Sequence, residues 1–471
     1  MWSLDLKMRA RLAHRCYVIA AARTLKTSSP QVVSMSRYTL LRIGLMVSVV
    51  FLLSSAAAVT QKPASTMNAG AYVTGAYPNL FLRNGHTERE SSLKIEAAYQ
   101  QLFHGQPDHQ ATAFDAGSNA NGPLMYVTDW ANHDVRTEGM SYGMMIAVQL
   151  DKKKDFDAIW NWARTFMYIA DPKHPSYRFF SWSCKTDGRP NEETPAPDGE
   201  EYFAMSLLFA ANRWGNGQGI FDYQNEANTL LSAMRHRNVI SGPTQLGQRS
   251  VGSEMDEEHG MVLFVPAPME KPFTDPSYHL PAFYELWARW GPAQDRPFWA
   301  RAAQVSRAFF VKTASPGTGL SPSYANFDGT PRSTKFPLSG VFGYDAWRTA
   351  ANWSVDWSWW RKEPQEQLLS TRLQQFFAAQ GMGQYAGIYS LDGRDPTASS
   401  KATAHSPAGL VAMNAVASLA APDSDQSRRF VEALWEQPIP SGQDRYYDGM
   451  LYMLGLLHVS GEFRIWKPSV P

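Results

Sequence analysis

The sequence predicts an all-α protein, an (α/α)6 barrel of twelve alternating inner and outer helices, and three observations carry that prediction. About twelve segments show helical periodicity. Alternate segments differ in kind, the odd ones amphipathic and the even ones apolar nearly all round. Ionisable or aromatic residues stand at or just ahead of the start of every apolar segment. Six parallel buried helices inside six amphipathic ones running the other way satisfy the first two observations. An irregular two-layer bundle is the architecture they leave open.

In chain order, Arg37 and Arg42 precede an apolar run, 43–53, and the small residues Ser54-Ser55-Ala56-Ala57-Ala58. This is the pattern of a secretory signal peptide. The run is shorter than the ~20 residues of a spanning helix, so a retained membrane anchor is the weaker reading. Residues 1–60 are therefore expected to be an N-terminal extension and signal that are removed, with Met35 a natural start and the product secreted or periplasmic. Cys16 falls in the removed part and Cys184 is left alone, which permits no internal disulfide. A polar linker follows around 61–70, and 71–471 reads as a single catalytic domain.

Within that domain the amphipathic segments are 93–103, 156–170, 223–237, 297–312, 365–380 and 424–435. Between them lie the apolar, small-residue segments 139–150, 201–211, 279–290, 346–360, 408–421 and 447–458. Strand signal is confined to short runs such as 261–265. If the apolar helices are parallel, their starts share one rim. That rim carries Glu138; Asp198 and Glu200; Asp275 and Tyr278; Tyr344 and Asp345; His405; and Tyr446 with Asp448. Helix capping accounts for one or two such residues, but not for recurring Tyr and His. Glu138 opens a buried helix, where desolvation would raise its pKa and make it an acid near neutrality; a first-turn acid complementing the helix dipole is the alternative.

Composition narrows the chemistry. Lys+Arg 44 against Asp+Glu 43 gives a net charge of +1, which leaves no nucleic-acid footprint and points to a neutral partner. The chain has no His-Glu-x-x-His, no Gly-x-Ser-x-Gly, no phosphate loop and no dinucleotide fingerprint. Several rim carboxylates without these motifs suit acid/base hydrolysis with no cofactor and no metal, and glycoside hydrolysis fits best. The acidic run Glu254-Met255-Asp256-Glu257-Glu258-His259 is read as a solvated loop rather than a metal site.

Three blocks resemble glycoside hydrolase family 8, and the resemblance covers about residues 85–465. Thr137-Glu138-Gly139-Met140-Ser141-Tyr142-Gly143-Met144 is similar to the family's acid block, implying Glu138 as general acid. Ala196-Pro197-Asp198-Gly199-Glu200-Glu201 is similar to the block whose aspartate contacts and distorts the sugar, implying that role for Asp198. Tyr344-Asp345-Ala346-Trp347-Arg348 is similar to the Tyr-Asp-Ala-x-Arg block, implying Asp345 as general base. The resemblance further implies an inverting mechanism, with the two carboxyls ~6.5–9.5 Å apart. Trp182 matches a sugar-stacking tryptophan, and Tyr278, Tyr344, Arg348 and His405 complete the expected substrate contacts. Arg348 is also placed to keep Asp345 ionised, or to form a structural ion pair.

The runs 275–285 and 325–331 resemble the xylan-acting branch, especially its reducing-end xylose-releasing exo-acting members. A xylo-oligosaccharide substrate is implied, with no nucleic-acid partner and a monomer expected. In those members a His next to Pro closes the cleft; here Ser406 separates His405 from Pro407. An endo-acting enzyme on xylan, β-glucan or chitosan, and a non-catalytic carbohydrate-binding protein, are the alternatives.

Overall fold

Twelve helices of nine or more residues occur among the residues described by the computed structural model, 69–336, 338–394 and 406–468. In chain order they are α1 (Glu88–His104), α2 (Thr137–Gln149), α3 (Lys153–Trp162), α4 (Pro197–Trp214), α5 (Tyr223–Arg235), α6 (Pro281–Trp290), α7 (Arg296–Thr313), α8 (Trp347–Trp360), α9 (Gln365–Gln380), α10 (Ala408–Val416), α11 (Asp425–Glu436) and α12 (Arg445–Val459). The expected signal segment lies outside the described residues.

The even helices form the inner ring of the (α/α)6 barrel. Along it α2 packs on α4, α6 on α8, α8 on α10, α10 on α12, and α12 returns to α2. Helices α4 and α6 meet through Tyr202 against Phe283, ring centroids 5.2 Å apart, and through a Tyr284 hydroxyl that donates to Glu201 at 2.5 Å. Each outer helix packs on the inner helix before it in this order, and α1 packs on α12.

Burial explains why the two kinds of segment differ. Every residue of α2 except Glu138 is buried, as is every residue of α10, so a polar side chain there would need a partner inside the protein. The small residues allow the inner helices to approach: a Cβ on Gly455 of α12 would sit 2.7 Å from the Cβ of Ala412 in α10. Outer helices begin with local signals. In α1, Thr87 Oγ1 accepts from the Glu90 N–H (3.2 Å) and Glu90 returns the bond to the Thr87 N–H (2.8 Å), a capping box.

Two expectations need correction. Segment 156–170 leaves the α-helix at Trp162 for a π-helical turn, Ala163–Met167, and 408–421 ends its α-helix at Val416 with a 3-10 turn, Ala417–Leu419. Strands are also far more numerous than expected. A five-stranded antiparallel sheet runs β1 (Ala113–Asn119), β2 (Gly122–Asp129), β3 (Asp134–Arg136), β4 (Ser183–Lys185) and β5 (Pro190–Glu192). Three of its strands have three residues each, too few to show a period of two. The sheet nevertheless positions the site: β3 runs directly into α2, and Arg136 pairs with Ser183 of β4. Among the described residues no helix is long and apolar enough to cross a membrane.

Candidate active site

The sheet and the starts of the inner helices bring Glu138, Asp198 and Asp345 around one guanidinium, that of Arg348. Glu138 is the second residue of α2, delivered by β3, whose register is held where the Thr137 N–H donates to the Trp182 carbonyl (2.9 Å). Asp198 follows Pro197 in the first turn of α4, and its Oδ1 accepts from the Gly199 N–H at 3.0 Å. Gly199 must lack a side chain, because a Cβ there would meet Thr137 at 2.4 Å. Asp345 lies in a 3-10 turn, Tyr344–Ala346, ahead of α8. Tyr344 enters that turn in the left-handed region, φ 43°, an uncommon conformation for a non-glycine residue.

Arg348, the second residue of α8, ties these elements together. Its Nη1 donates to Glu138 Oε2 (2.9 Å), Asp198 Oδ2 (2.9 Å) and the Tyr142 hydroxyl (2.6 Å). Its Nη2 donates to Ser277 Oγ (3.0 Å) and Asp345 Oδ1 (3.2 Å). One guanidinium spanning Glu138 and Asp345 keeps their nearest oxygens under the ~9.5 Å upper limit of an inverting pair. The carboxylates are graded in exposure: the side chain of Asp198 is 9% exposed, Glu138 14% and Asp345 37%.

Burial dominates the electrostatics of the two less exposed carboxyls. Burial pushes the Glu138 carboxyl up to about 7; Arg348 opposes the shift, and the charges of Asp198 and Asp345 add to it. Asp198 is raised by burial too, against the pull of Arg348. The other Glu138 oxygen, Oε1, accepts from the Tyr446 hydroxyl at 2.9 Å. A guanidinium cannot accept a hydrogen bond, so a protonated Glu138 carries its proton on Oε1, the side away from Arg348.

The remaining expected residues divide. Trp182 is half-buried between β4 and the start of α2, with the Arg136 guanidinium 5.8 Å from its ring. Tyr278 is buried beside Arg348, whose guanidinium is 5.8 Å from the ring. Tyr344 is 50% exposed and stacks on Trp347. His405 lies outside the described residues. Asp448 is structural: its Oδ1 accepts from the Gly409 N–H (2.7 Å) and so caps the start of α10. The reading of 254–259 as solvated fails at Glu254, which is wholly buried, its carboxyl pushed well up by desolvation and by Glu200 and Glu201.

Tyr142 contacts the charged centre but was not among the expected rim residues, whereas Tyr446 and the 275–278 stretch that carries Ser277 were placed on the rim without an assigned contact. Tyr142 had a legible signal, a hydroxyl one helical turn from Glu138 on the same face of an otherwise apolar helix. Among the described residues no group of three or more His, Cys, Asp or Glu is arranged to hold a metal ion.

A helical barrel with a raised-pKa glutamic acid and a more exposed aspartate across an arginine defines the class: this is a glycosidase. The chain belongs to glycoside hydrolase family 8, the model of which, "Glycosyl hydrolases family 8", matches residues 119–461. It is 44% identical over 403 residues to the reducing-end xylose-releasing exo-oligoxylanase Rex8A of Paenibacillus barcinonensis, covering 84% of this chain and 98% of that protein. A family 8 xylobiose complex from Teredinibacter turnerae superposes with a TM-score of 0.82 at 51% identity, covering 85% of this chain and all of that one. A catalytic mutant of a xylanase from the same organism, solved with xylohexaose, superposes at 0.81 with the same identity and coverage.

Proposed function

We propose that this protein releases xylose from the reducing end of β-1,4-xylo-oligosaccharides with inversion of the anomeric centre. Glu138 is the general acid, Asp345 the general base, and Asp198 contacts and distorts the sugar beside the scissile bond. Glu138 gives its Oε1 proton to the leaving oxygen as the C1–O bond breaks. Asp345 takes a proton from the water that attacks C1 from the opposite face. Arg348 and Tyr446 then stabilise the new Glu138 carboxylate by hydrogen bonds already in place. Trp182 offers a face for sugar stacking, and Tyr278 and Tyr344 flank the cleft. The reading rests above all on the Glu138–Arg348–Asp345 bridge, joined to the identity with Rex8A. Export to the periplasm or beyond is part of the same proposal, supported by the signal-like pattern of residues 35–58.

Xylotriose hydrolysis followed by NMR tests it. Xylose and α-xylobiose are the expected first products, and β-xylobiose formed directly would overturn inversion. Endo action is the second reading, favoured by Ser406 between His405 and Pro407 and by the xylohexaose-bound neighbour. Rapid thinning of a xylan solution would establish it in place of exo action.

Gly139→Ala probes the support of the acid. A Cβ at Gly139 would lie 2.5 Å from the Tyr446 ring, which must swing away from Glu138. Turnover of xylotriose is expected to fall about tenfold or more, the worth of one hydrogen bond to a charged group. Unchanged turnover in a folded variant would show that Tyr446 does not hold Glu138.

A further inference from the structure

A cavity of about 200 Å³ lies at the other end of the barrel from the charged centre. It opens beside the C-terminal end of α8, where Arg361 stands thirteen residues on from Arg348, roughly 20 Å along a helix rising 1.5 Å per residue. Arg83, Arg361, Trp357, Gln367, Asp423 and Leu80 line it.

Its charge is unbalanced. Asp423 accepts from Arg428 with both oxygens, at 2.9 and 3.1 Å, and its charge also interacts with Arg83, which leaves two of the three arginine charges here without a carboxylate of their own. Among the described residues neither the Arg83 nor the Arg361 guanidinium has a hydrogen-bonded carboxylate or carbonyl partner; that of Arg361 lies over the Trp357 ring at 4.9 Å. Burial lowers the proton affinity of Arg361 and the nearby charge of Arg83 lowers it further. Trp357 is 8% exposed, and its indole N–H is buried without a partner, a donor left at a desolvation cost. Arg361 ends α8 in the left-handed region, φ 53°, where glycine is the ordinary choice. Two planar donor forks suit a carboxylate, which accepts them in pairs. Leu80 and Pro422 add apolar wall for the carbon skeleton of a ligand.

We propose that this cavity is a second ligand site, separate from the catalytic mouth, that takes a single carboxylated sugar: Arg83 and Arg361 bind the carboxylate, and Gln367 binds its hydroxyls. The occupant would be a uronic acid, free or as a branch on a longer saccharide.

Saturation-transfer NMR on the full chain with sodium glucuronate tests this, with xylose as comparison ligand and sodium sulfate as competitor. A glucuronate signal is expected that weakens at least about tenfold in Arg83→Ala/Arg361→Gly, the loss of charge-assisted bonds, while xylotriose turnover is unchanged. The proposal is overturned if the parent shows no glucuronate signal or if the signal survives the double substitution. Equal arginine-dependent binding of xylose would also overturn it, as would loss of the glucuronate signal on adding an equal concentration of sulfate.

Discussion

Glu138→Gln is expected to lower xylotriose turnover by about 10³-fold, within the ~10²–10⁴ range of general acid catalysis, and to abolish the alkaline limb of the pH–rate profile. The limb belongs to Glu138. Its carboxyl is raised to about 7, so the acid is present below that pH and lost as pH rises through it. Asp345→Asn is expected to be equally inactive but to keep a limb. Since the Asp345 charge helps to raise Glu138, that limb moves to lower pH in the Asn variant. Near-parent turnover in either variant, or an unmoved limb in Asp345→Asn, would overturn the assigned roles.

Arg348→Met is expected to cost both activity and stability, and the stability loss should depend on pH with a definite sign. Arg348 lowers the pKa of Glu138 and Asp198, both of which burial raises. Without it these carboxyls shift further up. A folded-state carboxyl pKa above the unfolded value means stability that is lost as pH rises through that window. The deficit should therefore be smaller near pH 5, where Glu138 is protonated, and about 3–5 kcal/mol by pH 8, the cost of buried charge left unpaired. Thermal or urea denaturation at the two pH values measures it. A deficit that does not grow with pH would mean that Arg348 contributes packing rather than charge compensation.

The barrel was readable because its inner helices are buried on every side, which makes whole segments such as 139–150 and 408–421 apolar nearly all round. The same property located the rim: Glu138 is the one residue of α2 that is not buried, and it stands out against that background. The charged centre was less readable, since its bonds join residues with no sequence relation. Arg348 could be paired with Asp345, one turn away, but nothing in the spacing announces its bonds to Glu138 and Asp198. Glu254 misled because it sits in an acidic run whose later members, Glu257 and Glu258, are exposed; burial changes within a few residues there, and composition cannot register it. Three strands of the sheet escaped because strands of three residues are held by their partners across the chain, not by their own pattern.

Arg348 draws its partners from 210 residues away at Glu138 and 150 at Asp198, and from Ser277 ahead of α6. Three helical hairpins therefore converge on one side chain of a fourth. Contacts that close such long loops are entropically the most costly to form, and none of them can exist in a separate hairpin. The centre is thus a property of the closed ring: a chain with all twelve helices formed but the circle open would have its acid and base in place on their own helices and still have no site.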